Sequence, residues 1–538
     1  MAAGTTVFDP TTGLTHPIED IVERGAGGSV VAADKLGHLH IRPIVERFDQ
    51  GEAEAIGLHL RDSTTLWVTP DHKVFTDKGW REAGELGVGD RVARPRRFLG
   101  FGDEEPIPPD HARLLGYLIG DGYVGGKTPI AFINNREELH DDVSRIVSEL
   151  GCEVGRRGRQ GIEAAISHRK GEKNGALARW AGIWGKLAYE KGIPAAFFAP
   201  GISAKVAGNL IFGLLESDRY VSGEQTGALR VGFTTTSEEL AQQIHWLLLR
   251  WGIGSSVRAY DPTRQRPSIV NGREVRHKRP CWEVRVSGVD NVQRIAEAIP
   301  MWGPRGRALV EALADPTLGK HRGSQRNYLP ASQIDPVLAY LRGRGVTPAL
   351  AATLVGDGAG DPSGGLRQVL GHSRLRRDRI ERLADALESD FLYGVLDEDV
   401  WYDKVVAISP AEWRPVYDIE VAEHHTFVAN DVVISNCSAP YRQAEFDIMY
   451  SKGISREGSL LDVGVDLGLI KKSGAWFTYD GEQLGQGREN AKTFLFENPE
   501  VMVEISERIR TQLGVGAKSD NGDGELPVDL DAPISLDD

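Results

Sequence analysis

The chain has 538 residues and a formal net charge of −14, with 41% apolar and 26% charged residues. That balance excludes a wholly disordered chain and predicts three or four domains at roughly 150 residues each. No run approaches the ~18 apolar residues of a membrane span, and the opening MAAGTTVFDP lacks the basic and apolar segments of a secretory signal. Three cysteines exclude a disulfide scaffold and fit a reducing, cytoplasmic setting without a membrane partner.

Residues 1–98 read as short β segments (TTVFDP, SVVAAD, AIGLHL, TTLWVTP, HKVFT, DRVARP) separated by glycine-rich turns, the spacing of an all-β domain. Residues 106–300 change character. The helical patterns DHARLLGYLIGDG and VAGNLIFGLLESDR are each followed by a β-like stretch and then by a Glu-Glu-Leu helix. Asp121 and Asp218 lie 97 residues apart, and Glu138 and Glu239 lie 101 apart. Such near-equal offsets predict an internal duplication. Residues 301–395 read as helical and basic, with twelve Lys or Arg against six Asp or Glu over 301–380. Residues 400–436 return to β, residues 437–516 form a separate α/β patch, and residues 517–538 carry seven acids against one base, a disordered acidic tail. The β-like flanks around an α/β insert predict one β domain interrupted by another.

The chemistry concentrates first at Asn436-Cys437. An asparagine amide can attack its own backbone carbonyl, closing a succinimide and cutting the chain after it, and a following cysteine supplies a strong nucleophile. Asp418 and His425 lie just upstream, and a positioned histidine can move protons. Far away, Thr69-Pro70-Asp71-His72 forms a TxxH unit in a turn between strands. TPDHKVFTDKGWREAGELGVGDRV and YDIEVAEHHTFVANDVVISNC together resemble the blocks of an intein, a self-splicing insert. The resemblance implies the β-rich Hint fold, built from 1–98 plus about 400–436, and a reaction that needs no cofactor. It implies that Thr69 and His72 serve the N-terminal acyl shift, that Asp418 and His425 serve later steps, that Asn436 cyclises and that Cys437 is the acceptor after the insert. Inteins begin with Cys or Ser, whereas this chain begins with Met1, so Met1 is expected to be the second residue of the insert, with a cysteine before it. Ser435 stands where inteins usually carry a penultimate histidine.

The repeated helices LLGYLIGDG and IFGLLESDR resemble the paired motifs of LAGLIDADG homing endonucleases. Small residues let two such helices pack backbone to backbone, each delivering a carboxylate, Asp121 or Asp218, to its end. Two adjacent carboxylates can bind Mg²⁺ or a similar hard cation, and the resemblance implies double-strand cleavage of DNA. Glu216 is a further acid nearby, and Arg219 replaces the closing glycine of the second motif. The basic stretch 301–395 is expected to contact the DNA backbone, with Arg374, Arg376, Arg377 and Arg379 near the start of a helix. The stretch from SAPYRQAEF to FENPE resembles the C-terminal part of RecA recombinases. No GxxxxGK[ST] phosphate loop occurs in the chain, so ATP binding would belong to a RecA core outside it. The implied partners are double-stranded DNA and a RecA N-terminal half, in a host protein of recombination, repair and the SOS response. The fold class expected is multidomain: all-β Hint, α+β endonuclease with a pseudo-twofold repeat, small α/β module, disordered tail. The rival reading is a decayed intein acting only as a non-catalytic DNA-binding protein.

Overall fold

The computed structural model describes residues 1–512 apart from 63, 125–129, 158–161, 169–182, 184, 223–228, 262–267, 271–272, 276–278, 315–324, 357–358, 373, 437–447 and 450–452. Cys437 and the acidic tail therefore lie outside the described residues. The chain divides into two units, Met1–Ser438 and Ala439–Asp538.

The first unit opens with β1 (Thr6–Asp9), β2 (Leu14–Pro17), α1 (Ile18–Arg24), β3 (Ser29–Ala33), β4 (Leu39–Leu60), β5 (Thr65–Val68), β6 (Lys73–Thr76), β7 (Gly79–Glu82) and β8 (Arg91–Pro95). Two repeats follow. One holds α2 (Pro109–Asp121), β9 (Gly122–Tyr123), β10 (Ile130–Ile133), α3 (Glu137–Glu149), β11 (Cys152–Arg157) and β12 (Glu163–His168). The other holds α4 (Ala204–Asp218), β13 (Arg219–Ser222), β14 (Arg230–Thr235), α5 (Glu238–Leu249), β15 (Ser255–Tyr260), a short hairpin of β16 (Ser268–Val270) and β17 (Arg273–Val275), and β18 (Cys281–Ser287). Helices α6 (Val289–Ala298) and α7 (Pro304–Leu313) lead to a helical segment with α8 (Ala331–Gly343), α9 (Pro348–Val355), α10 (Leu366–Leu370), α11 (Arg377–Leu387) and α12 (Asp390–Leu396). The unit closes with β19 (Val400–Val421), β20 (Thr426–Ala429) and β21 (Val432–Ser435).

The β-rich ends of this unit meet. One sheet runs β2-β1-β20-β21-β6-β8-β19-β4-β3, with β5 on β4 and β7 on β6. Strands from both ends alternate in it, so neither end closes the sheet alone. The 22-residue strands β4 and β19 pair antiparallel over most of their length, through four register shifts. Their two ends bury Leu58, Leu60, Val405, Ile419 and Val421 in a core shared with Val7, Val74, Phe427 and Ile434.

The two repeats have matching sheets, β9-β10-β12-β11 and β13-β14-β18-β15, entered by α2 and α4 and covered by α3 and α5. The duplication seen as a period in the sequence is thus one supersecondary unit built twice. Both covering helices carry two glutamates in their first turn, which suits the positive end of the helix dipole. Helices α2 and α4 cross through glycines. A methyl on Gly116 would lie 2.2 Å from Leu210 O, and one on Gly213 would lie 2.3 Å from Arg113 O. One turn on, Gly120 faces Ser217.

The helical segment has its own core, including Val337, Leu341, Val369, Leu370, Ile380 and Leu383. The second unit holds a short pair, β22 (Ile448–Met449) and β23 (Gly453–Ile454), then α13 (Arg456–Asp466), a meander of β24 (Ile470–Ser473), β25 (Trp476–Tyr479) and β26 (Glu482–Gln486), and α14 (Arg488–Glu497) and α15 (Pro499–Gln512). Leu461, Ile470, Leu484, Ala491, Leu495 and Ile505 make its core.

Candidate functional site

The TxxH segment is a turn that turns back into the core. Pro70 sets the second position, His72 N donates to Thr69 O at 3.1 Å, and Gly84 N donates to Pro70 O at 2.7 Å. Thr69 is half-buried, Pro70 and Asp71 are exposed, and His72 is 3% exposed. Burial, reinforced by the positive chain terminus nearby, pushes the His72 imidazole down to about 4, against the opposing pull of Asp418. The ring is therefore neutral at neutral pH. It hydrogen-bonds the Ser435 backbone, and its Nε2 has no partner among the described residues.

Met1 reaches the same place. Its nitrogen donates to Tyr417 O at 2.7 Å, and Tyr417 N donates to Met1 O at 2.8 Å. Ala2 N donates to Trp67 O and Ala3 N to Pro415 O, so the first residues lie along β19 like a short strand. Asp418, 2% exposed, accepts from the Ile419 N–H at 2.8 Å.

The hairpin of β20 and β21 presents Asn436. Its pairs run from Ala429↔Val432 to Thr426↔Ser435, and Asn436 N donates to His425 O at 3.0 Å one step beyond the last pair. Asn436 is 2% exposed. With its amide oriented to satisfy both ends, Nδ2 donates to His425 O at 2.5 Å and Oδ1 accepts from Val421 N at 3.3 Å. His425 has a φ of +52°, a left-handed conformation that costs a non-glycine residue about 1–2 kcal/mol. That conformation presents its carbonyl to Asn436, whereas its imidazole is exposed. Thr69, His72, Asp418, His425 and Asn436 thus come from one sheet. His72, assigned by resemblance to the first step alone, also touches the Ser435 backbone and so faces both ends of the insert.

The matched helices α2 and α4 end together, as the Gly120–Ser217 approach requires, and Asp121 and Asp218 are their last residues. The Asp218 side chain lies outside the description. Asn134 Nδ2 donates to Asp121 Oδ2 at 2.7 Å. Burial holds the Asp121 carboxyl above its ordinary range, opposed by Asn134, Arg305, Lys191 and Arg136. Two cations missed in the sequence serve the helix ends. Lys191 Nζ donates to the carbonyls of Leu118, Ile119 and Gly122 at 2.8, 3.0 and 2.6 Å. Arg305 Nη1 donates to Ser217 O at 2.5 Å. Both neutralise the negative ends of helices that already carry an aspartate. Neither stands in a motif, so no spacing could have revealed it.

Glu216 is not an open acid. It is 1% exposed and accepts the N–H groups of Arg305 and Gly306 at 3.1 and 2.7 Å, capping α7. The arginines at the start of α11 also turn inward. Arg374 stacks on Tyr328 and donates to Leu329 O, Arg376 grips Asp378, Arg377 donates to Leu396 O and Arg379 to Val369 O. The short α10 intervenes between α9 and α11.

Comparison with known proteins decides the family. Residues 10–436 match the intein splicing domain, and residues 458–514 match the RecA C-terminal domain. This chain belongs to the intein family. It joins an intein splicing domain to a RecA C-terminal domain. It is similar to "Protein RecA" of Mycobacterium bovis and of Mycobacterium tuberculosis, each 59% identical over 539 residues, covering 99% of this chain and 68% of the relative. "Protein RecA" of Mycolicibacterium gilvum is 59% identical over 102 residues, 19% of this chain and 29% of that protein. Among the described residues no helix is long and apolar enough to cross a membrane.

Proposed function

We propose that this intein releases its RecA-like segment by cyclisation of Asn436. The Asn436 Nδ2 attacks the Asn436 carbonyl carbon, forming the C–N bond of a succinimide. The bond to Cys437 breaks, and the departing nitrogen takes a proton to become the Cys437 amine. The observation that carries this reading is the convergence of His72, Asp418, His425 and Asn436 on one sheet that also receives Met1. Burial keeps water from competing, and the Val421 N–H and His425 carbonyl hold the amide of Asn436. The exposed imidazole of His425 supplies the proton of the leaving amine.

In a longer chain, a residue before Met1 would enter beside His72 and Tyr417. There, neutral His72 and Thr69 would assist an acyl shift onto its thiol or hydroxyl, and Cys437 would accept the acyl group, joining a RecA N-terminal half to the segment after the intein. Recombination, DNA repair and the SOS response would belong to that joined host, as would ATP binding. The test is the intact mass of the chain during incubation, with Asn436→Ala as the control that must stay whole.

The insert is read as a LAGLIDADG endonuclease acting on double-stranded DNA. The glycine-mediated crossing of α2 and α4, the twofold recurrence of the helix and sheet unit and the coincidence of Asp121 with Asp218 support this. Carboxylate oxygens suit a hard divalent cation such as Mg²⁺, and Asp121 and Asp218, at the ends of the crossing helices, would hold it. Such an ion would supply charge stabilisation and water activation. Asn134 orients Asp121, and Lys191 and Arg305 fix the helix ends. The basic segment 301–395 is read as an aid to phosphate contact, through residues other than the inward-turned arginines of α11. Asp121→Ala with Asp218→Ala should abolish metal-dependent cutting; persistent cutting would show that the acid pair is wrong.

A further inference from the structure

The turn between β20 and β21, which carries the hairpin of Asn436, is held from the insert. Asp431 sits in that turn with a φ of +59°. Its Oδ2 lies 3.2 Å from Arg94 Nη2 and 3.2 Å from His245 Nε2, and its carbonyl accepts from Arg94 Nε at 3.3 Å. Arg94, 2% exposed, also meets Asp62 at 2.8 Å and Asp403 at 3.2 Å. These four residues all belong to the splicing sheet and its turns. By themselves they set three carboxylates against one guanidinium, with Arg94 and Asp403 buried and Asp62 and Asp431 half-buried.

The other partner comes from elsewhere, beside a further cation. His245 lies on α5 of the second repeat, buried, with its Nδ1 2.8 Å from Ser255 Oγ. Arg326 lies just past the second repeat, donates to Ser255 O at 3.2 Å and stacks on Trp401, the ring that Arg94 also faces. Burial alone would raise the Asp431 carboxyl, yet His245, Arg94 and Arg326 hold it well below the usual range. Deleting a partner of a buried charge leaves that charge uncompensated, which costs far more than a surface pair does.

We propose that His245 of the insert is a positioning residue for the C-terminal splicing reaction: it supplies a partner that Asp431 needs and so holds the β20–β21 hairpin that presents Asn436. The lever is short. Asp431 precedes Asn436 by five residues along a strand paired throughout to the one that follows His425. Displacing the turn shifts the register of both residues together, and a small misplacement of reacting groups costs rate steeply. The inference rests on the reading of Asn436 as the cyclising residue.

The test uses the full chain as His245→Ala, Asp431→Asn and the double variant. Release of the segment after Asn436 is followed by mass. His245→Ala should slow release about ten-fold, the effect of roughly one partner lost from a buried carboxylate. The double variant should recover most of that loss, because a neutral amide at position 431 leaves no buried carboxylate short of a partner, a rescue that loss of packing alone would not show. Release at the original rate in His245→Ala, or no recovery in the double variant, overturns the proposal. Hydrogen exchange over residues 426–436, measured in the uncleavable Asn436→Ala background, gives an independent reading. It should quicken in His245→Ala and slow again with Asp431→Asn; unchanged exchange in His245→Ala also overturns the proposal. If the reading of Asn436 is at fault instead, the unsubstituted chain itself stays whole, while the exchange pattern still decides the role of His245.

Discussion

His72 links stability and chemistry through one proton. Its folded-state value is about 4, against an ordinary 6.5. Above pH 6.5 the ring is neutral in both folded and unfolded chains, and its contribution is fully present. As pH falls from 6.5 toward 4 the unfolded chain takes up the proton first, so folding loses about 3 kcal/mol. His72→Gln should flatten that part of the stability profile in denaturant melts of the first unit; an unchanged slope would place the sensitivity elsewhere. At His425 the backbone and the ring are separable. His425→Gly keeps the left-handed conformation and removes the imidazole, so cleavage should slow about 10²-fold at unchanged Tm if the ring moves a proton. Cleavage at full rate would leave only the carbonyl at work. These two histidines were visible in the sequence because each sits in a short motif with its own local logic. The exposure of the His425 ring and the contact of His72 with Ser435 were not, since both depend on how distant strands stack.

At the scale of elements, the crossing of α2 and α4 depends on having no side chain at Gly116 and Gly213. Gly116→Ala would drive a methyl into the Leu210 carbonyl, forcing the helices apart at a cost of about 1–3 kcal/mol. Thermal melts should show that loss, and DNA cutting should fall with it because the two aspartates separate. Asp121→Asn, by contrast, should remove cutting while leaving Tm within about a degree or two, since the change is local and half-solvated. The repeat was legible because helix, strand and Glu-Glu-Leu helix recur at nearly constant offset. The fates of Glu216 and of the α11 arginines were not. Charge density along a chain says nothing of which way a side chain turns, and here neighbouring helix ends and carbonyls claim those groups.

Over the first unit as a whole, an insert of two repeats and a helical segment interrupts a sheet whose ends complete each other. The alternation of β-rich flanks with an α/β centre foretold that interruption. Only the structure reveals that the flanks interleave strand by strand, because antiparallel pairing between β4 and β19 spans several hundred residues of chain and has no local signature. The same distance hides the His245–Asp431 contact. The central claim is that this sheet assembles a working site for cleavage after Asn436. The most direct measurement is the intact mass of the purified chain over time at neutral pH, beside Asn436→Ala. The account predicts two fragments divided between residues 436 and 437, the larger ending in a succinimide or its hydrolysed form, and a single uncut species for Asn436→Ala. An unsubstituted chain that stays whole, or an Asn436→Ala chain that is cut at the same place, would contradict it.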